Sequence, residues 1–368
     1  MNKFAFLIHP LDMKDVIRLE PKSANKRQSL VEKVLEWMPS HKRSDIVGVK
    51  SITGTEIEGW FIAVPLMPNQ FLNMDRQYVL DKIIKGVKIA EDLGAQIVGL
   101  GGYTSVVGDA GITVAKQAKI AVTSGNAYTI ATALEGAIEG AKVMDINIKD
   151  AQVSVVGASG SIGKACAQFF ADKCKSMTLI ARAKKRLENL AEVIKENYDR
   201  EVDYTTDLQA GIRDADIVIA ATSSAGNIIM AEDLKPGAVV SDVSLPHDVA
   251  QEVQKLRPDV LVIEGGVVQV PGENVDFNYD FGYPPGVSLA CMAESMILAL
   301  EGRFENFSLG RGIKLEKVEE INRLAKKHGF KLAGFRSFGQ FLTDDSLKQI
   351  KKNARKSKKT QKKLKIRQ

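Results

Sequence analysis

Apolar positions divide the 368-residue chain into two differently patterned stretches. Up to residue 147, β-branched and aromatic runs at 3–8, 46–53 and 57–65 predict strands. Tyr78, Ile83, Val87, Ala90 and Leu93 recur at helical spacing and predict a helix over 75–93. Gln96 to Gly102 reads as a buried strand closing in a glycine turn; a helix near 110–118, a strand at 120–122 and a helix over 127–143 follow. Beyond residue 150 the alternation tightens. Strands at 153–156, 177–181, 216–221, 238–242 and 260–263 go with helices at 162–173 and 183–197, the pattern of a doubly wound α/β sheet. A Gly/Pro/aromatic-rich loop over 265–285 precedes two last helices, at 286–302 and 314–328.

At 45% hydrophobic and 26% charged residues, the composition is that of a soluble globular protein of two or three domains. No apolar run reaches the ~18 residues of a membrane-spanning helix, and the start, Met1 to Pro10, reads as a first strand rather than a signal peptide. Three cysteines make no disulfide framework and four scattered histidines no zinc site, so no metal is expected. These features predict a cytoplasmic enzyme or binding protein. The net charge of +6 hides an asymmetry. Residues 346–368 hold 11 of the 51 cations and no acid, which leaves 40 cations against 45 acids, a charge of −5, on residues 1–345. Such a block predicts a tail without fixed structure, able to make weak contact with an anionic membrane surface. It has no aromatic residue for base stacking, and specific nucleic-acid binding is not expected.

The most informative local motif is Gly157-Ala158-Ser159-Gly160-Ser161-Ile162-Gly163, set between a predicted strand and a predicted helix. This context lets the backbone approach a pyrophosphate, which the helix start then stabilises. The second strand ends in Arg182, followed by Lys184, Lys185 and Arg186, where an NAD site carries an acid for the ribose hydroxyls. A guanidinium there suits a 2′-phosphate, so NADPH is the expected cofactor. Ala221, Thr222 and Ser223, then Asp242, then Gly265 and Gly266 end later strands, where the nicotinamide half would cross the sheet edge. The expected organisation is an N-terminal α/β substrate-binding domain (1–147), a Rossmann-type NADPH-binding domain (148–285), a C-terminal helical segment (286–340) packing back on the first domain, and the basic tail (341–368).

Cys166 reads as a buried small hydrophobe, and Cys174 suggests no role. Cys291 follows Pro284-Pro285-Gly286 near a helix start, where the dipole would favour its thiolate. On its residues alone, a cysteine among Ala, Leu and Met reads more readily as core than as catalyst. His247, after a sheet-edge strand, reads as a surface residue.

Together the motifs resemble the long-chain acyl-[acyl-carrier-protein] reductase family of cyanobacteria. The matching stretches are Leu100 to Ser105, Thr123 to Asn126, Gly157 to Gly163, Leu179 to Arg182, Glu264 to Val268, Ala290 to Met296, Asn306 to Arg311 and His328 to Phe330. The resemblance runs in order over residues 1–335 and leaves out the tail. It implies NADPH-dependent reduction of a long-chain acyl thioester, of acyl carrier protein or coenzyme A, to an aldehyde. The family's cysteine falls on Cys291, which would carry the acyl group. Backbone amides at the start of its helix, with Ser124 or Asn126, would stabilise the tetrahedral oxyanion. Ser161 stands where the family carries Asp, and the 268–285 segment departs from the family pattern. The alternatives are an NADP-dependent amino-acid or shikimate-like dehydrogenase without a covalent step, and a non-catalytic NADP(H)-binding regulator.

Overall fold

The structure is a computed structural model that describes residues 1–224 and 226–366, with side chains as far as residue 361. The backbone forms two compact units. The first comprises residues 1–128 and 268–331, and the second residues 129–267 and 332–368. The division therefore differs from the contiguous one expected. The segment after the nucleotide-binding sheet returns to the first unit, because Asn306 to Ser308 completes its edge.

The first unit is built on five strands: β1 (Asn2–Ile8), β2 (His41–Lys50), β3 (Glu56–Ala63), β4 (Ile97–Leu100) and β5 (Ala121–Thr123), in the order β2-β3-β1-β4-β5. Only the β2–β3 pair is antiparallel. Side chains alternate across β1, as strand geometry requires. Ala5 and Leu7 join Ile62 and Val98 in a core covered by Ile83, Val87 and Ala90 of the helix Arg76–Asp92. Phe4 and Phe6 face the other side. There Phe6 meets Phe61 edge-on at 6.5 Å, and the helix Ala290–Glu301 packs close enough that a Cβ on Gly99 would lie 3.2 Å from Ser295 Oγ. Two helices between β1 and β2, Met13–Leu19 and Gln28–Trp37, carry no prediction from the sequence.

The second unit holds six parallel strands: β6 (Gln152–Val156), β7 (Ser176–Ile180), β8 (Asp203–Thr205), β9 (Ile217–Ala220), β10 (Val239–Asp242) and β11 (Leu261–Glu264). Their order, β11-β10-β9-β6-β7-β8, is that of the doubly wound dinucleotide fold, and its direction switches between β6 and β9. β6, β9, β10 and β11 are buried along nearly their whole length, as parallel strands covered on both faces must be, while the edge strand β8 is largely exposed.

The basic C-terminal stretch is a correction to the sequence reading. Residues Asp344–Ile366 form a helix. Leu347, Ile350 and Ala354 lie on one face of it and pack against Val239, Leu261 and Ile263, and Lys351 and Arg355 pair with Asp145. Residues 367–368 of the expected tail lie outside the described residues. Among the described residues, no helix is long and apolar enough to cross a membrane.

Candidate active site

Cys291 is the second residue of the helix Ala290–Glu301, whose residues from Met292 to Leu300 are all buried. Cys291 itself keeps partial exposure. The loop after β5 sits directly on it. Gly125 adopts φ +74°, and a Cβ there would lie 2.5 Å from Cys291 Cα and Cβ. Thr123-Ser124-Gly125-Asn126 thus meets the cysteine through a backbone that only glycine can bring so near.

Glu294, one helical turn beyond Cys291, fixes that loop. Its fully buried carboxylate accepts hydrogen bonds from the hydroxyls of Thr123 and Ser308 and, at 2.7 Å, from the Tyr128 backbone N–H. It therefore caps the start of the helix Asn126–Val143, where an anion is favoured. Asn306 and Phe307 pair with Val122 on β5, which brings Ser308 to the same carboxylate. Three sequence-distant motifs converge on one cysteine.

The expected oxyanion donors separate. Ser124 is buried and donates its hydroxyl to the Ser308 carbonyl, so it holds the loop together. Asn126 is half-buried, and its side-chain amide has no hydrogen-bond partner among the described residues. It remains available to a ligand.

The thiol's acidity runs against the helix-dipole expectation. Burial, with a further contribution from Glu294, pushes Cys291 up to about 12. Glu294 is also pushed up, because burial outweighs the bonds it accepts from Ser308, Thr123 and Tyr128. At neutral pH the resting site holds a protonated thiol. Cys166 lies sealed in the second unit with its thiol likewise pushed up to about 12 by burial, which matches its reading as a core residue. Cys174 is buried and donates to the Phe170 carbonyl.

In the second unit, β6 runs straight into the glycine loop. The N–H groups of Gly157 and Ala158 both donate to the Ile180 carbonyl at the end of β7, at 2.8 and 3.1 Å. A Cβ on Gly157 would lie 2.3 Å from the Ala221 carbonyl oxygen, and one on Gly163 equally close to that of Gly157. The helix Ser161–Phe170 starts at Gly160 without a side-chain cap, so the first N–H groups, at Ser161, Ile162 and Gly163, have no capping side chain at the sheet's switch point. This is a cradle for a pyrophosphate. Arg182 stands two residues beyond Ile180, exposed and without an ion-pair partner among the described residues. The residues fit the cofactor: uncapped amides for the diphosphate and a free guanidinium where a 2′-phosphate lies.

At the nicotinamide end, Asp248 was not read from the sequence. Its buried carboxylate accepts from Thr222, Ser224 and Ser244 at 2.6–2.7 Å, and Ser244 in turn accepts from the Thr222 N–H. This network sets the loop after β9 and leaves Ser223 exposed beside it. Asp242 was expected to face the cofactor. Instead its buried carboxylate closes the next turn by accepting from the N–H groups of Ser244 and Val249. Gly265 donates its N–H to the Asp242 carbonyl, and Gly266 turns the chain at φ +79°. His247 is half-buried rather than fully on the surface. It packs 3.9 Å from both Asp242 and Glu264, and although burial opposes its charge, those carboxylates raise its pKa.

Fold and site together define a Rossmann-type oxidoreductase domain of the NADP(H) class, joined to an α/β unit that carries a helix-borne cysteine. The pattern of the Shikimate / quinate 5-dehydrogenase family matches residues 139–263. Aminotransferase PigE of a Serratia species is 35% identical over 79% of this chain, but the match spans only 34% of PigE. The long-chain acyl-[acyl-carrier-protein] reductase of Synechococcus elongatus is 30% identical over 78% of this chain and 86% of the reductase. Glutamyl-tRNA reductase from Methanopyrus kandleri aligns at 16% identity over 79% of this chain and 57% of that one, with a TM-score of 0.29. The chain belongs to the family of the long-chain acyl-[acyl-carrier-protein] reductase.

Proposed function

We propose that the protein reduces a long-chain acyl thioester, carried on acyl carrier protein or coenzyme A, to a fatty aldehyde through an acyl group on Cys291. One observation carries the reading: Cys291 keeps partial exposure at the start of a helix that is buried from Met292 to Leu300, and the Thr123–Asn126 motif is pressed against it through Gly125.

In the first step the Cys291 sulfur attacks the thioester carbonyl. A new carbon–sulfur bond forms, the bond to the carrier sulfur breaks, and the Cys291 proton leaves with the carrier thiol. The glycine loop and Arg182 would hold NADPH, which would supply the hydride that reduces the acyl carbon. Collapse of the resulting oxyanion releases the aldehyde and returns the thiolate, which takes up a proton. Asn126 and the backbone amides at the start of the Cys291 helix are the oxyanion donors in this reading. Glu294 is a positioning residue, holding the Ser124–Asn126 loop against the sulfur. An aromatic run in which Phe277 lies tilted and Phe281 edge-on to Phe61, at 6.0 and 5.9 Å, supports an apolar substrate.

The test is incubation with an acyl thioester in the absence of NADPH. Intact protein should gain the mass of one acyl group, and Cys291→Ser should gain none and form no aldehyde. Undiminished aldehyde production by Cys291→Ser would overturn the proposal. The match to the dehydrogenase family over 139–263 favours a second reading, in which a substrate is oxidised by NADP⁺ without a covalent step. That activity would survive loss of Cys291.

A further inference from the structure

The helix Gln28–Trp37 has two apolar faces, and the fold uses one. Val31 and Leu35 pack on Met13, Val16 and Met67. Leu30, Val34 and Trp37, spaced i, i+4 and i+7, form a second stripe and are 52%, 50% and 81% exposed, with Met38 continuing it at 37%. The stripe is a fixed feature of the surface. Lys82 donates its ammonium to the carbonyls of Leu35 and Glu36 and so closes the helix end, and Gln70 holds the Glu32 carbonyl.

Cations gather at the same place. Lys22, Lys26, Arg27 and Lys33 are exposed, and none has an ion-pair partner among the described residues. Residues 14–43 carry 8 cations and 4 acids, while residues 1–345 as a whole carry 40 and 45. Of the acids on this helix, Glu32 and Glu36 fall on the side away from the stripe, and Glu32 is held by Gln28 and Asn69.

We propose that this face docks on an anionic lipid bilayer, with Leu30, Val34, Trp37 and Met38 entering the interface and Lys22, Lys26, Arg27 and Lys33 meeting the headgroups. A convex apolar ridge with flanking cations and a tryptophan at its end has the make-up of an interfacial helix. A second copy of the chain fits less well, because a two-fold pairing of ridges would set like charges beside each other.

The experiment uses the full chain and sedimentation with vesicles of phosphatidylcholine containing about one quarter phosphatidylglycerol. The protein should sediment with them, release in high salt, and stay in solution with pure phosphatidylcholine. Trp37 emission should shift to the blue on binding; Trp37→Phe identifies it against the buried Trp60. Leu30→Gln with Trp37→Gln should lower the partition by roughly tenfold or more, with unchanged melting temperature, since the stripe is exposed. Lys26→Glu with Arg27→Glu should lower it comparably and flatten the salt dependence. Failure to bind anionic vesicles would overturn the proposal. So would a dimer in solution that Trp37→Gln dissolves, or blue-shifted Trp37 emission with an acidic carrier protein but not with vesicles.

Discussion

Gly125 and Cys291 touch through their backbones: a methyl group on the glycine would lie 2.5 Å from the cysteine's Cα. This contact couples the start of the helix Asn126–Val143 to the start of the helix Ala290–Glu301.

Gly125→Ala should therefore damage the site twice. Alanine is disfavoured at φ +74°, and its Cβ would displace Cys291. We expect a stability loss of roughly 2–4 kcal/mol and a far larger fall in Cys291 acylation than in NADPH binding. Denaturant titration, adduct mass and cofactor fluorescence separate the three. Normal acylation in this variant would contradict the packing.

The pH dependence of Cys291 alkylation is a second test. With the thiol pushed up to about 12 by burial and by Glu294, the thiolate fraction grows tenfold per pH unit throughout the neutral range. The iodoacetamide rate should climb with unit slope from pH 7 to about 10 without a plateau. A plateau near neutrality would mean that the helix dipole had prevailed.

If Arg182 holds the 2′-phosphate, as proposed, it governs cofactor choice. Arg182→Ala should raise the KM for NADPH by about ten- to a hundredfold, the loss of one charge-assisted contact, and leave the KM for NADH nearly unchanged. Steady-state kinetics with both cofactors decides it.

Most strands of both sheets were legible because they are short apolar runs with glycine or helix signals on either side, although β2, expected at 46–53, runs over His41–Lys50 because its first half is polar and exposed. β8 was not: Asp203 and Tyr204 are exposed, and three residues show no alternation. The helix Gln28–Trp37 was missed because its apolar residues fall on two faces, which blurs the single stripe that marks an amphipathic helix. In the C-terminal stretch the run of lysines masked Leu347, Ile350 and Ala354, which share one helical face. At the site, the role of Cys291 came from family resemblance; its apolar neighbours Ala290, Met292 and Ala293 signalled burial, which outweighs the helix dipole in setting the thiol's acidity. Glu294 did leave a signal: a lone acid inside Ala290-Cys291-Met292-Ala293-Glu294-Ser295-Met296-Ile297-Leu298 must find donors if that helix is buried. Asp248 left none, since its three partners come from the turns after β9 and β10.

His9 supplies a test of stability in acid. Its ring lies between Phe71 and Tyr103, with Nδ1 donating to the Pro10 carbonyl and Nε2 accepting from the Tyr103 N–H, which requires the neutral form. Burial lowers its pKa from 6.5 to about 4, against a smaller opposing effect of the Pro10 carbonyl. Below pH 6.5 the unfolded chain binds a proton that the folded one refuses, so stability falls with pH until about 4, by about 3 kcal/mol in all. His247, whose pKa is raised, acts in the opposite sense, and comparison of variant with parent cancels it. His9→Gln, whose amide oxygen can still accept from Tyr103, should remove this part of the acid loss. Urea titrations from pH 7 to 4 should therefore show the parent losing about 3 kcal/mol more stability than the variant, and equal losses would show that His9 does not resist protonation.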